Sequence, residues 1–235
     1  TLLAHAIATL VDSKGRILVD GLKPTEIPAA VRAALADIKL EQGMGDPDID
    51  PDWGETGLTQ AEKIFGWNTL EVLAFKTGAP EAPANAVPPS AKATMQLRFV
   101  VGTDPTTIIP LVEAHLAAHG LERVSVKPSR MATFEATRVD PTDPWVSWAL
   151  ASIATTTGKT PALLPNLGGS LPNDVFALIL GMPTVWVPHS YPACSQHAPN
   201  EHLLASVARE ALQLMAGLFY DLGEDGPGIL KARAK

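Results

Sequence analysis

The sequence predicts a mixed chain in two parts, an α+β sandwich over residues 1–140 followed by an α/β segment over residues 141–235. The first part orders its elements as helix, strand, strand, helix, strand, which is typical of one sheet covered by helices. The second part alternates helices with a short apolar strand, which is typical of the edge of a larger α/β sheet. The run DPTDP at 140–144 separates the two parts.

In the first part, apolar residues recur at helical spacing from Leu2 to Leu10, and the DSKG run that follows indicates a turn. Further helices are predicted over 25–40, 58–65 and 106–119. Strands are predicted over 69–75 and 91–101, with shorter strands near 122–127 and 132–138.

In the second part, helices are predicted over 145–157, 174–180 and 201–219, with a buried strand over 183–188 and a frayed polar tail over 224–235. So few strands make a poor independent core, so we expect this part to complete a sheet built elsewhere. The chain also opens without methionine, directly in a helical pattern. We therefore expect the numbering to begin inside a longer protein.

Composition excludes several classes of function. The net charge is −7 and no basic cluster is present, which argues against a nucleic-acid partner. No apolar run approaches the roughly 20 residues that span a bilayer, so we expect no membrane partner. A single cysteine, Cys194, forms no internal disulfide and cannot build a zinc finger. We expect a cytoplasmic protein.

Three histidines, a cysteine and a glutamate lie between His189 and His202, in a loop that follows the predicted strand. Such loops commonly hold ligands in α/β proteins, and imidazole is a common zinc ligand. Asn200 or Glu201 serves equally well as a cap of the last helix. From the chemistry alone, a metal site and a helix start are evenly matched interpretations. Cys194 has no partner at the spacing of a catalytic triad.

Two further segments carry weaker signals. Gly168 and Gly169, before Ser170, permit close backbone approach to a ligand, although an ordinary turn before a helix explains them too. Asn85 lies in a proline-rich loop, and Arg98 follows on a predicted strand. Taken singly, these two residues indicate only a turn and a solvated side chain.

Taken together, the segments NAVPPSAKATMQLR, GGSLP and GMPTVWVP with HAPNEH resemble a known family. It is the family of dinuclear-zinc exopeptidases and deacylases, which includes carnosinases, aminoacylases and acetylornithine deacetylases. The resemblance extends over roughly residues 1–220, and its HAPNEH end is the most specific part. The long insertion before Trp67 is more similar to the carnosinase branch.

The resemblance implies a ferredoxin-like α+β lid, which is also the dimerisation domain, over residues 1–140, with its first strand upstream. Residues 141–235 are then the C-terminal part of a zinc-exopeptidase α/β domain. It further implies a homodimer, and a missing N-terminal half that carries the general base and the other metal ligands. No catalytic residue is then expected in this chain.

The resemblance assigns His197 as a metal ligand. It assigns the substrate pocket to Asn85, Arg98, Asn166, Gly168, Gly169 and Ser170. Asn85 and Arg98 are expected to serve the neighbouring subunit's site.

We therefore expect zinc-dependent hydrolysis of an amide bond in a dipeptide or N-acyl amino acid, by metal-activated water. Two divalent ions are implied per complete site, with cobalt or manganese as substitutes for zinc. The alternative is an inactive dimerisation or peptide-binding module of the same fold. A third possibility is one half of a two-chain or proteolysed enzyme.

One position departs from the family pattern. Carnosinase-like relatives commonly have an arginine two residues before the paired glycines, where it holds the substrate carboxylate, and Asn166 stands there in this chain. An amide offers no charge and no bidentate fork. From Asn166 alone we expect weak selection for a free carboxylate, unless Arg98 compensates.

Overall fold

A computed structural model describes residues 1–40, 48–129, 134–169 and 171–233. Its regular elements are α1 Leu2–Leu10, α2 Ala29–Ala36, α3 Gln60–Phe65, β1 Thr69–Thr77, β2 Ala91–Arg98, α4 Ile108–Ala118, α5 Pro144–Thr157 and α6 Ala205–Arg233. Short 3-10 turns span Asp20–Leu22, Pro105–Thr107 and Pro192–Cys194, and one π-helical turn spans Val175–Ile179. The predicted helices are present, except that the one predicted over 174–180 is a single π-helical turn and α2 is shorter than predicted.

The chain divides into two compact units. Unit 1 consists of residues 1–27, 49–137 and 168–174, and unit 2 consists of residues 28–48, 138–167 and 175–235. The main boundary between the units follows Thr137. Unit 1 also includes residues 168–174, beyond that boundary, and unit 2 also includes residues 28–48, before it. The assignment of 1–140 and 141–235 as domains stays a prediction.

The centre of unit 1 is an antiparallel hairpin of β1 and β2. Thr69 pairs with Arg98 at its open end and Thr77 with Ala91 at the other, with an irregularity between Val72 and Ala74. Buried residues of the two helices, the hairpin and the intervening segments form its core: Ala6, Leu10, Ile17, Val19, Leu22, Leu70, Leu116 and Leu121. The register of the hairpin therefore fixes where Arg98 lies, at the end of a strand and beside this core.

Helix ends in this chain follow local capping chemistry. Thr59 and Glu62 form a reciprocal capping box at the start of α3, with Thr59 N–H donating to Glu62 Oε2 at 2.7 Å. Asp143 caps α5 by accepting from Trp145 N–H at 2.9 Å, and Gly158 ends that helix at a φ of +69°. These caps explain why both helices begin and end close to their predicted bounds.

The strands predicted near 122–127 and 132–138 are wrong for the residues that the structure describes there. Neither segment joins the sheet, although Val124 and Val126 still pack against the core of unit 1. Alternation reports which side chains are buried, whereas a strand also needs a second backbone within hydrogen-bonding reach.

The buried strand predicted over 183–188 is also wrong. The segment is irregular, with Val185 41% exposed and Trp186 48% exposed. A strand of this apolar composition needs neighbouring strands, and the described residues of unit 2 contain none. The segment has the β-branched composition of a strand, but the described residues of unit 2 offer no neighbouring strand to pair with it.

The last helix was predicted over 201–219, with a frayed tail over 224–235, but α6 continues to Arg233. Arg233 Nε donates to Asp143 Oδ2 at 3.0 Å, and Ile229 is buried. These tertiary contacts fix a segment whose polar composition suggests disorder. Among the described residues, no helix is both long and apolar enough to cross a membrane.

Asn68 occupies a buried position next to β1 and makes three hydrogen bonds. Its Nδ2 donates to Leu22 O and to Thr103 Oγ1, both at 2.9 Å, and its Oδ1 accepts from Val100 N–H at 2.8 Å. Only 2% of its surface is exposed. The amide therefore pairs with the Leu22 carbonyl and the Val100 N–H in a site that water does not reach.

We expect Asn68→Ala to lower the free energy of unfolding by about 3 kcal/mol, because it leaves buried backbone groups without partners. Urea denaturation followed by circular dichroism measures this change. Asn85→Ala, at an exposed asparagine, is the control and should stay within about 0.5 kcal/mol of wild type. Equal stability of the two variants would contradict the role of Asn68.

Candidate active site

The loop between His189 and His202 has an unusual backbone. Ser195, His197 and Asn200 have φ angles of 58°, 62° and 64°, and they are the non-glycine residues of the described chain with positive φ. L-residues adopt this left-handed conformation at a cost of roughly 1–2 kcal/mol each. Such strain persists only where surrounding contacts enforce it, and it concentrates at functional sites.

Hydrogen bonds close this loop upon itself. His202 N–H donates to Cys194 O at 3.0 Å, and Ala198 N–H donates to Ser195 O at 2.9 Å. Cys194 is buried beneath this loop, with 5% of its surface exposed. Tyr191 accepts from Leu204 N–H through its hydroxyl at 3.1 Å, which connects the loop to the start of α6.

His197 is held by its backbone, and its ring is left free. Its N–H donates to Glu201 Oε2 at 3.2 Å. The imidazole is exposed and makes no hydrogen bond within the described ranges. A carboxylate that fixes a histidine at its main chain leaves both ring nitrogens able to meet a ligand.

The other two histidines of the loop are engaged or partly covered. His202 Nδ1 lies 2.9 Å from Asn200 O, and its ring meets Tyr191 edge to face with centroids 6.1 Å apart. His189 is half-buried. Of the three, His197 is exposed and its ring makes no hydrogen bond within the described ranges, and its role as a metal ligand stays a prediction.

Arg98 and the glycine pair meet in unit 1. Arg98 Nη1 donates to Gly168 O at 3.3 Å. A Cβ at Gly168 would come within 3.0 Å of the same nitrogen, so the absence of a side chain permits the approach. Gly169 follows and is exposed. Ser170, predicted to line the pocket, lies outside the described residues.

Asn85 lies on an exposed loop between β1 and β2. It makes no hydrogen bond with any other described residue, so the structure does not bring it to Arg98 or to His197. Its assignment to a substrate pocket stays a prediction.

Asn166 has a charged neighbour that no sequence motif marks. Arg138 Nη1 donates to Asn166 Oδ1 at 3.5 Å, and both residues are half-buried in unit 2. Burial lowers the pKa of the Arg138 guanidinium below its ordinary value, and the nearby charge of Asp140 partly opposes that change. Because the two residues are 28 positions apart, only the fold reveals the pair.

The described residues do not form a complete zinc site. They include no group of three or more His, Cys, Asp or Glu side chains able to hold one ion. Protein-bound zinc takes four donors, of which at least three are usually side chains. His197 therefore fits one position in a coordination sphere, and the donor set of these residues alone does not fit the metal.

Residues 1–124, more than half of the chain, match the family of the M20 peptidase dimerisation domain. The chain belongs to this family. The match covers β1, β2, α1 and α4, so the α+β part is a dimerisation domain of this family. A search of curated proteins found no match.

Solved structures of M20-type peptidases share the fold. An M20 family metallo-carboxypeptidase from Sulfolobus solfataricus superimposes with a TM-score of 0.72 and 23% identity, covering 92% of this chain and 50% of that one. The dipeptidase Dug1p from Saccharomyces cerevisiae gives 0.65 and 18%, covering 92% and 47%. Human carnosine dipeptidase 1 gives 0.65 and 19%, covering 95% and 49%.

These matches extend over both parts of the chain and confirm the predicted fold class, an α+β lid domain followed by part of an α/β domain. The chain spans about half the length of the solved structures it matches.

The strained loop makes a prediction that thiol labelling checks. Asn tolerates the left-handed region whereas a β-branched residue does not, so Asn200→Val should open the loop over Cys194. We expect labelling of this single thiol by an aromatic disulfide to accelerate about tenfold, since 1.4 kcal/mol is one decade. Asn200→Gly is the matched control and should label no faster than wild type. Equal rates for Asn200→Val and wild type would show that the loop is unstrained.

Proposed function

We propose that this chain is part of a zinc-dependent peptidase or deacylase that hydrolyses an amide bond in a dipeptide or N-acyl amino acid. The observation that carries the proposal is the exposed ring of His197 on a strained loop, with its main chain fixed by Glu201. Family membership supports it, since the domain takes its name from peptidases. The matched structures are a carboxypeptidase and two dipeptidases.

In this proposal His197 supplies one donor to a pair of divalent ions. The remaining donors and the general base come from an N-terminal half of the complete protein. When bound, such ions activate water and polarise the scissile carbonyl. Zinc is the expected metal, with cobalt or manganese as substitutes.

The contribution of the chain itself is orientation. Glu201 holds the His197 main chain, which leaves both ring nitrogens able to meet a metal ion. Arg98 contacts the Gly168 carbonyl in unit 1. Arg98, Gly168, Gly169 and Ser170 are proposed to bind substrate. Asn166 is proposed as a further substrate contact in unit 2.

We propose a homodimer formed through the lid domain, in which Asn85 and Arg98 serve the active site of the partner subunit. The matched domain is a dimerisation domain, and β1 and β2 leave strand edges that can extend across a two-fold axis. Asn85 is exposed and makes no bond within its own chain's described residues, as expected for a residue that acts across an interface.

In the full-length protein, we expect His197→Ala to lose bound zinc and to lower kcat by about a hundredfold or more. Loss of an outer-shell partner alone costs 10- to 100-fold, and a direct ligand costs at least as much. Metal analysis and steady-state kinetics measure both effects. His189→Ala is the matched control and should retain metal. Full metal content and near-normal rate in His197→Ala would make His197 a loop residue, whereas wild type without bound metal and turnover would favour an inactive dimerisation or peptide-binding module.

Composite sites can be tested by subunit exchange. Mixing inactive Arg98→Ala and His197→Ala dimers should restore activity, because one of the two sites in each heterodimer then has both residues intact. With random exchange about one quarter of wild-type activity is expected. Size-exclusion chromatography with differently tagged chains verifies that heterodimers form. Their formation without recovery of activity would place Arg98 and His197 in sites built within one subunit.

A further inference from the structure

Two histidines lie one helical turn apart at the end of α4, in unit 1. His115 is half-buried within the helix, and His119, its C-cap, is exposed. The His119 N–H donates to His115 O at 3.2 Å, which keeps the helical spacing between them. Their imidazole rings stack, with centroids 4.2 Å apart and an interplanar angle of 31°. Histidines at positions i and i+4 on one helix face can bind a single metal ion.

Each of the two rings is oriented by a main-chain carbonyl. His115 Nε2 lies 2.8 Å from Thr9 O, near the end of α1, and His119 Nδ1 lies 2.8 Å from His115 O. Because a carbonyl oxygen only accepts hydrogen bonds, the ring nitrogen that faces it carries the hydrogen. In the neutral imidazoles the free lone pairs are therefore on His115 Nδ1 and His119 Nε2. Neither of these atoms has a hydrogen-bond partner within the described ranges.

This hydrogen-bonding pattern is typical of imidazoles that bind metal. A metal-ligating histidine usually donates its second ring N–H to a carbonyl or a carboxylate, which fixes the tautomer and the orientation of the ring. Two nitrogens that each lie about 2.05 Å from one tetrahedral ion are roughly 3.3 Å apart. Rings whose centroids are 4.2 Å apart are close enough for one nitrogen of each ring to meet the same ion.

The charged groups near His115 leave the two imidazoles as the protein donors. Lys23 Nζ lies 2.6 Å from Asp20 Oδ1. That hydrogen bond and the lysine charge lower the pKa of Asp20, and the charge of His115 lowers it further. Asp20 is therefore an ionised carboxylate within electrostatic reach of His115, but it is already paired with Lys23. No third His, Cys, Asp or Glu side chain of the described residues completes a metal-holding group with the pair.

We propose that His115 and His119 together bind one divalent transition-metal ion, through His115 Nδ1 and His119 Nε2. Zinc, copper and nickel are the ions that imidazole suits. Water completes the coordination sphere, so the ion exchanges with solution and is not a permanent part of the fold. His115 keeps its hydrogen bond to Thr9 O when the ion is bound. The ion therefore links the last turn of α4 and, through His115, the end of α1.

Copper(II) is the probe for this site, because a given nitrogen site binds it more tightly than the other divalent first-row ions. Tag-free full-length protein is titrated at about pH 7.5, where imidazole is commonly the neutral ligand. His115→Gln and His119→Gln should each raise the Kd of one copper equivalent by about tenfold or more, since even loss of an outer-shell partner costs that much. Electron paramagnetic resonance should show coupling to two nitrogens in the copper signal that either variant loses.

His5→Gln is the matched control, because it removes an exposed imidazole from α1 in the same unit. It should leave the Kd of every copper equivalent within about twofold of wild type. Circular dichroism checks that each variant is folded. Because His119 is exposed, His119→Gln keeps the test valid if loss of the Thr9 contact unfolds His115→Gln.

Two results would overturn the metal site. An equal loss of copper in all three variants would identify adventitious binding by surface histidines. Unchanged copper binding in His119→Gln would leave its ring with only a capping role at the end of α4. Both results are read from binding and not from turnover, so they are independent of whether the protein hydrolyses peptides.

Discussion

The three hydrogen bonds of Asn68 are the interaction on which the geometry of unit 1 depends. They tie the turn at Leu22, the segment after β2 at Val100 and the hydroxyl of Thr103 to one buried amide beside β1. Because Asn68 precedes the pair Thr69–Arg98, it also fixes the open end of the hairpin. The position at which Arg98 reaches the Gly168 carbonyl therefore follows from a polar group in the core.

In unit 2, hydrogen bonds restrain two groups whose own hydrogen-bonding capacity stays largely free, the His197 ring and the Arg138 guanidinium. The His197 ring is exposed because main-chain bonds, rather than ring bonds, hold its loop in the left-handed conformation. Arg138 is likewise kept in place by a neutral amide while Asp140 is turned to Thr142. In both cases a hydrogen bond restrains a neighbouring group, so the His197 ring and most Arg138 donors make no hydrogen bond within the described residues.

Much of the helical framework could be predicted from sequence, because helix hydrogen bonds are local and apolar spacing therefore identifies α1 to α5. The strands near 122–127 and over 183–188 could not, since a strand requires a distant backbone that periodicity does not reveal. At the site, the HAPNEH motif identified His197 from its neighbours in sequence. The hydrogen bond between Arg138 and Asn166 could not be predicted, because the two residues are 28 positions apart in the sequence.

The irregular apolar stretch that follows the glycine pair affects how the chain behaves in solution. Val175, Phe176, Leu178, Ile179, Leu180, Met182, Val185 and Trp186 are all between 41% and 76% exposed. Contiguous apolar surface of this kind promotes self-association. Residues 175–180 also combine β-branched and aromatic side chains with no proline and no charged residue, a composition prone to cross-β stacking. A peptide of residues 175–186 should therefore aggregate when it is prepared without the rest of the protein.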